Sequence, residues 1–191
     1  MIKNAAPMLD SYTEQVLNTS VPVFVDAPTE YGQFLEAFAQ VKAHALRWKR
    51  SIIWQLEMWP ECLADAEKRL RPLHRDQQLC TARLQAYPAD ELALKQQQRL
   101  RLQMQAILHP LAEIQQTLLD ALCSLHVHLE HDALVLDQGA GAGWKQFADL
   151  PQLARHARIE LSELIQHKQS EWAVWQHSTQ RRFDNDCTPS P

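Results

Sequence analysis

The chain has 191 residues, 46% of them hydrophobic and 22% charged, which is enough to bury a core without disulfide or metal staples. A net charge of −4, with no strongly basic stretch, excludes the electrostatic footprint of a nucleic-acid binder. No run approaches 18 uninterrupted apolar residues, and residues 1–12 lack a continuous apolar segment, so neither a membrane-spanning helix nor a secretory signal is expected.

Residues 1–28 read as an N-terminal strap. A helical pattern covers Met8–Asn18, and Val21–Val25 is extended, with Pro22 unable to donate to a ladder. Asp26-Ala-Pro-Thr29 then reads as a helix start, with a side-chain cap nearby and proline in the first turn. Phe34, Phe38, Val41, Ala45, Trp48 and Ile52 follow in alternating steps of four and three, the signature of an amphipathic helix with a coiled-coil-like stripe. The same alternation carries through Leu56, Trp59, Leu63, Ala66, Leu70, Leu73, Gln77, Cys80, Leu84 and Tyr87. Pro60 and Pro72 lie inside it without glycine or a good cap beside them, so each predicts a kink or a tight break.

Tyr87-Pro-Ala-Asp-Glu91 is the clearest turn, with a helix-breaking Pro88, a capping Asp90 and an acidic first turn. A second stripe runs through Leu100, Met104, Ile107, Leu111, Ile114, Leu118, Ala121, Leu125, His128, Asp132 and Val135. Leu108, Leu122, Leu129 and Leu136 widen it beyond a two-stranded seam, and Pro110 predicts a kink. Arms of roughly 35 residues rise about 50 Å at 1.5 Å each, and a short turn makes them antiparallel. Gln138–Trp144 is a Gly-rich connector whose Gly139 suits a left-handed helix cap. Asp149-Leu-Pro-Gln152 resembles a capping box for a last helix carrying Leu153, Ala157, Leu161, Leu164, Lys168, Trp172 and Trp175. Residues 184–191 read as a disordered tail. The expected fold is all-α: an elongated helical bundle over 29–183, built on a long antiparallel hairpin with a C-terminal packing helix.

Chemistry is sparse in this pattern. Cys62, Cys80, Cys123 and Cys187 form no metal or redox spacing, which suits a reduced, cytoplasmic chain, and Cys123 reads as a small core residue. The glycines of the connector follow a helix rather than a strand, so they read as a hinge and not a phosphate cradle. Lys68, Arg69, Arg71, Arg75 and Arg83, interleaved with acids, read as a solvated face with i,i+4 pairs. His128, His131 and Asp132 share a helix face at i, i+3 and i+4, a ligand set that suits zinc or iron. No HExxH and no second Glu-x-x-His accompanies them, and histidines near a helix C-terminus also answer its dipole.

Six tryptophans are present, of which Trp54 and Trp144 fall off the stripes and are candidate partner anchors. Residues 111–191 hold six Lys/Arg against eleven Asp/Glu, so Glu160, Glu163 and Glu171 are candidate contacts for a basic partner. With no convergent catalytic set, the expectation is a non-enzymatic protein-binding module without a cofactor: an adaptor, a dedicated chaperone or an immunity-type inhibitor, with a homodimer as one possible assembly. The alternatives are a metal-binding bundle enzyme or sensor using His128, His131 and Asp132, and a membrane-active toxin-type subunit.

Overall fold

A computed structural model describes residues 7–26 and 28–185. Among them the chain forms α1 (Pro7–Asn18), α2 (Thr29–Arg47), a π-helical turn (Trp48–Ile52), α3 (Ile53–Ala86), α4 (Glu91–Gly141), a 3-10 turn (Lys145–Phe147) and α5 (Leu150–Asn185), with no strand. The fold is all-α, as the four-three spacing predicts. No helix among the described residues is long and apolar enough to cross a membrane.

The contacts divide the chain into two compact units that share the long helices. Unit 1 comprises Met1–Glu57 and Leu118–Gln169. Its core joins Leu9, Tyr12 and Val16 of α1 to the α2 stripe, to Leu118, Leu122, Leu125, Leu129 and Leu136 of α4, and to Ala154, Ala157 and Leu161 of α5. Unit 2 comprises Met58–Thr117 and Ser170–Pro191. There Trp59, Leu63, Ala66 and Leu70 of α3 meet Ile107 and Leu111 of α4, with Trp172 and Trp175 of α5 half-buried against them.

Pro60 and Pro72 break nothing: α3 runs through both, and α4 through Pro110. All three prolines are exposed. Each removes one backbone donor, and on an exposed face the freed carbonyl turns to water. The turn at Tyr87–Asp90 forms as expected. Asp90 caps α4, its Oδ1 accepting from the Ala93 amide at 3.0 Å while Arg83 Nε meets Oδ2 at 2.6 Å. The amide hydrogen bond first, and Arg83 with it, holds the Asp90 carboxyl below its ordinary range. The basic face of α3 carries the expected i,i+4 pairs, Arg69–Asp65 at 3.8 Å and Arg71–Glu67 at 3.5 Å.

Several local expectations are corrected. α2 starts without a side-chain cap, with extended Pro28 in the cap position. Gly139 is helical, and the left-handed cap is Gly143, at φ 81°. The amide of Gly143 bonds the carbonyl of Ala140 and that of Trp144 bonds Gly139, closing a Schellman motif. Gly139 serves close packing instead: a Cβ there would lie 2.8 Å from Phe147 Cγ. Cys123 is exposed rather than core, and Ile114 is exposed despite its place on the stripe. α5 continues through residues 184 and 185, and the rest of the expected tail lies outside the described residues, as do residues 1–6 of the strap.

Candidate functional site

Unit 1 holds a buried polar network where the sequence suggests a metal. Asp132 stands on the apolar stripe of α4 and is 0% exposed. A carboxylate at a core position must find partners, and it finds them on two other helices. Tyr12 of α1 donates its hydroxyl to Oδ2 at 3.0 Å, and His44 of α2 places Nδ1 2.9 Å from Oδ1. One turn before Asp132 on α4, His128 stacks on His44, with ring centroids 3.9 Å apart and planes 15° apart. His128 Nε2 in turn lies 3.3 Å from Ser124 Oγ.

Charge in this network is strained by its surroundings. Burial pushes the Asp132 carboxyl above its ordinary range, against the pull of His44 and Tyr12. Burial first, then the Asp132 charge beside it, pushes the Tyr12 phenol well up. His128 is lowered, by desolvation first and then by the neighbouring His44. The resulting arrangement fastens α1 to α2 and α4.

The expected ligand set is therefore not assembled. Asp132 is committed to Tyr12 and His44, His128 turns to His44 and Ser124, and His131 is exposed beside a hollow lined by Phe24, Tyr31 and Trp144. Among the described residues, no group of three or more His, Cys, Asp or Glu side chains could hold a metal ion.

The expected partner contacts separate in the same way. Trp54 is 62% exposed on α3 and remains available. Trp144 is half-buried in an aromatic cluster, 5.0 Å from Phe34, 5.7 Å from Tyr31 and 5.8 Å from Phe147 between ring centroids. As the residue after the Schellman glycine it is folded back onto the core, which its off-stripe position did not reveal. Glu160 is also taken. Its Oε2 accepts the amides of Met8 at 2.9 Å and Leu9 at 3.0 Å, capping the first turn of α1 from 151 residues away. Glu171 is half-buried in unit 2 with a contact of its own. Glu163 is exposed.

Glu163 lies one turn beyond Ile159 on α5, and Ile159 lines a groove that composition alone did not single out. The groove runs between α4 and α5 within unit 1, with a volume of about 510 Å³. Leu129 and Ala133 form its buried floor, while Leu134 (61% exposed) and Ile159 (60%) stand at its walls. Two ion pairs bound it: Arg158 with Glu130 at 3.2 Å, and Arg155 with Asp137. An apolar centre inside a charged rim is the anatomy of a protein interface.

Comparison with protein-family models, with curated proteins and with solved structures finds no match.

Proposed function

We propose that the chain is a non-catalytic protein-binding module whose docking surface is the α4/α5 groove of unit 1. The observation that carries this reading is the pair Leu134 and Ile159, two large aliphatic side chains more than half exposed over an apolar floor. Scattered exposed apolar residues need no explanation, but two that wall one groove with ion pairs at its edge do. The groove suits the apolar face of a partner helix, which would bury Leu134 and Ile159 while its charges meet the rim. Of the acids expected to meet a basic partner, Glu163 is exposed one turn beyond Ile159, and Glu160 is committed to the amides of α1.

The test is capture from the native lysate by the tagged chain, repeated with a Leu134→Asp, Ile159→Asp double variant. A stoichiometric partner held by the wild-type chain, weakened by salt and lost in the double variant, is the expected result. Both sites are exposed, so the variant keeps its helical circular dichroism. A partner retained equally by the double variant, or no stoichiometric partner at all, overturns the reading.

A further inference from the structure

A third hollow is lined by His44 and His128, in the cleft between α2/α3 and α4. It encloses about 210 Å³, too small for a drug-sized molecule and sufficient for a small ion. Six of its nine lining residues carry polar side chains, and Ile52, Ala121 and Leu125 supply an apolar remainder. His44, Arg47, Ser51 and Gln55 face it at helical steps of three, four and four, and Ser124 and His128 face it from α4. Among the described residues no carboxylate lines it.

Three of those groups are unclaimed by the protein. Arg47, Ser51 and Gln55 have no side-chain hydrogen bond or ion pair to another described residue. Arg47 brings five donors in a fixed fork, the geometry that matches oxyanions. Ser51 and Gln55 add a hydroxyl and an amide donor. His44 has Nδ1 bonded to the buried Asp132, which fixes the ring and leaves Nε2 as its other polar atom.

The backbone at this place is also exceptional. The π-helical turn Trp48–Ile52 contains Ser51 and is flanked by Arg47, and the Ile53 amide bonds the Trp48 carbonyl five residues back. The wider turn keeps Trp48 and Ile52 in the core, each 1% exposed, while Arg47 and Ser51 face the cleft. Single π turns inside α-helices recur at functional sites.

We propose that this cleft binds one tetrahedral oxyanion, a sulfate or a phosphoryl group, held by Arg47, Ser51, Gln55, Ser124 and the His44–His128 stack. A dianion offers acceptors to the Arg47, Ser51 and Gln55 donors, and to the imidazoles in their protonated form, when both ring nitrogens donate. His128 is lowered by desolvation first and then by His44, Arg47 and His131 against the pull of Asp132, and an anion in the cleft offsets the part that comes from charge. The groups facing the stack are Arg47 and His44 of α2, Asp132, His131 and Ser124 of α4, and Tyr12 of α1 through Asp132. Asp132 is the one acid among them, and it lies behind His44. Acid therefore adds positive charge to the cleft, and affinity for a dianion rises as pH falls.

Isothermal titration of the full chain with sodium sulfate, at constant ionic strength, tests this directly, because sulfate keeps its charge between pH 8 and pH 6. The expected result is one saturable site per chain, at least about five-fold tighter at pH 6 than at pH 8, and lost in Arg47→Gln. Arg47 is exposed, so that variant folds. Phenyl phosphate is the second ligand. Tighter binding than sulfate assigns the site to a phosphoryl group on a larger molecule, and binding of sulfate alone assigns it to the free anion. No saturable heat with either ligand, or equal heat in Arg47→Gln, overturns the proposal.

Discussion

The two units are cut from the same three long helices, yet they are held together differently. Among the described residues, unit 1 gathers twenty-three buried side chains into its core, and unit 2 gathers six. Unit 1 adds three fastenings to its core. Its α1 is fastened by Tyr12–Asp132 and by Glu160 across its first turn, and its Phe147 seats against the bare backbone of Gly139. Unit 2 relies on large side chains: Trp59 lies 5.7 Å from Trp172, which stacks on Trp175 at 5.3 Å. A thin core of few, large residues concentrates its stability in single positions, whereas a broad core spreads it and leaves room for buried polar groups. Both candidate sites lie in unit 1, where the surrounding core can hold charged and polar side chains in place.

This difference can be broken at its weakest point first. Trp59→Ala removes the largest side chain of the six in the unit 2 core and is expected to cost about 3–5 kcal/mol, as for other buried tryptophans. Amide hydrogen exchange should show the loss concentrated in residues 58–117, with the core amides of unit 1 keeping more of their protection. Equal loss in both units would mean that the shared helices couple them into one cooperative body. Asp132→Ala is the complementary cut in unit 1. It orphans the Tyr12 hydroxyl and unties His44, and is expected to cost about 2–4 kcal/mol. Protection should then fall first in α1. If urea unfolding moves by less than about 1 kcal/mol, the network is not what fastens that helix.

How much of this was legible depends on how local the cause is. The four-three spacing is a local property, and it located both arms, the Tyr87–Asp90 turn and most of the core, but not Leu9, Tyr12, Val16, Phe147 or Leu150 of unit 1. Ile114 and Tyr87 fail, since both stand on a stripe and both are exposed. The polar network has partners 88 and 120 residues apart, so no spacing rule reaches it. One signal did stand in the sequence: Asp132 occupies an apolar stripe position, and a carboxylate there calls for buried partners rather than a ligand face. Glu160 carried no such signal, since the helix end it caps lies at the other end of the chain. The groove residues Leu134 and Ile159 sit off the stripes, and only the adjacency of α4 and α5 makes them one surface.

Smaller changes test the close approach that distinguishes unit 1. Gly139→Ala places a methyl 2.8 Å from Phe147 and 3.1 Å from Phe34 Cζ, and overpacking of this kind costs about 1–3 kcal/mol. Gly141 lies in the same helix with nothing within 4 Å, so Gly141→Ala should instead stabilise by about 0.5–1 kcal/mol through helix propensity. Opposite signs from two identical substitutions two residues apart would show that packing, not propensity, governs Gly139. A shared sign in thermal unfolding would sink that account.

The smallest expected effect is the response of unit 1 to acid. His126 and His128 are both lowered from their ordinary 6.5, His126 by desolvation first and then by Arg158, His128 by desolvation first and then by His44. The folded chain therefore binds fewer protons than the unfolded chain around that pH, and stability rises with pH through this window and falls as pH drops below about 6.5. Asp132 is raised and acts with the opposite sign, its contribution being lost as pH rises from 3.8 toward its folded value. Wild-type melting temperature should thus decline from pH 7.5 to pH 5.5, and a His126→Asn, His128→Asn variant should decline less. Sulfate should flatten the wild-type curve, because an anion in the cleft favours the protonated form of His128, and should flatten the variant's curve less. An identical decline in both proteins would place the acid response elsewhere and leave the histidine stack as a packing contact alone.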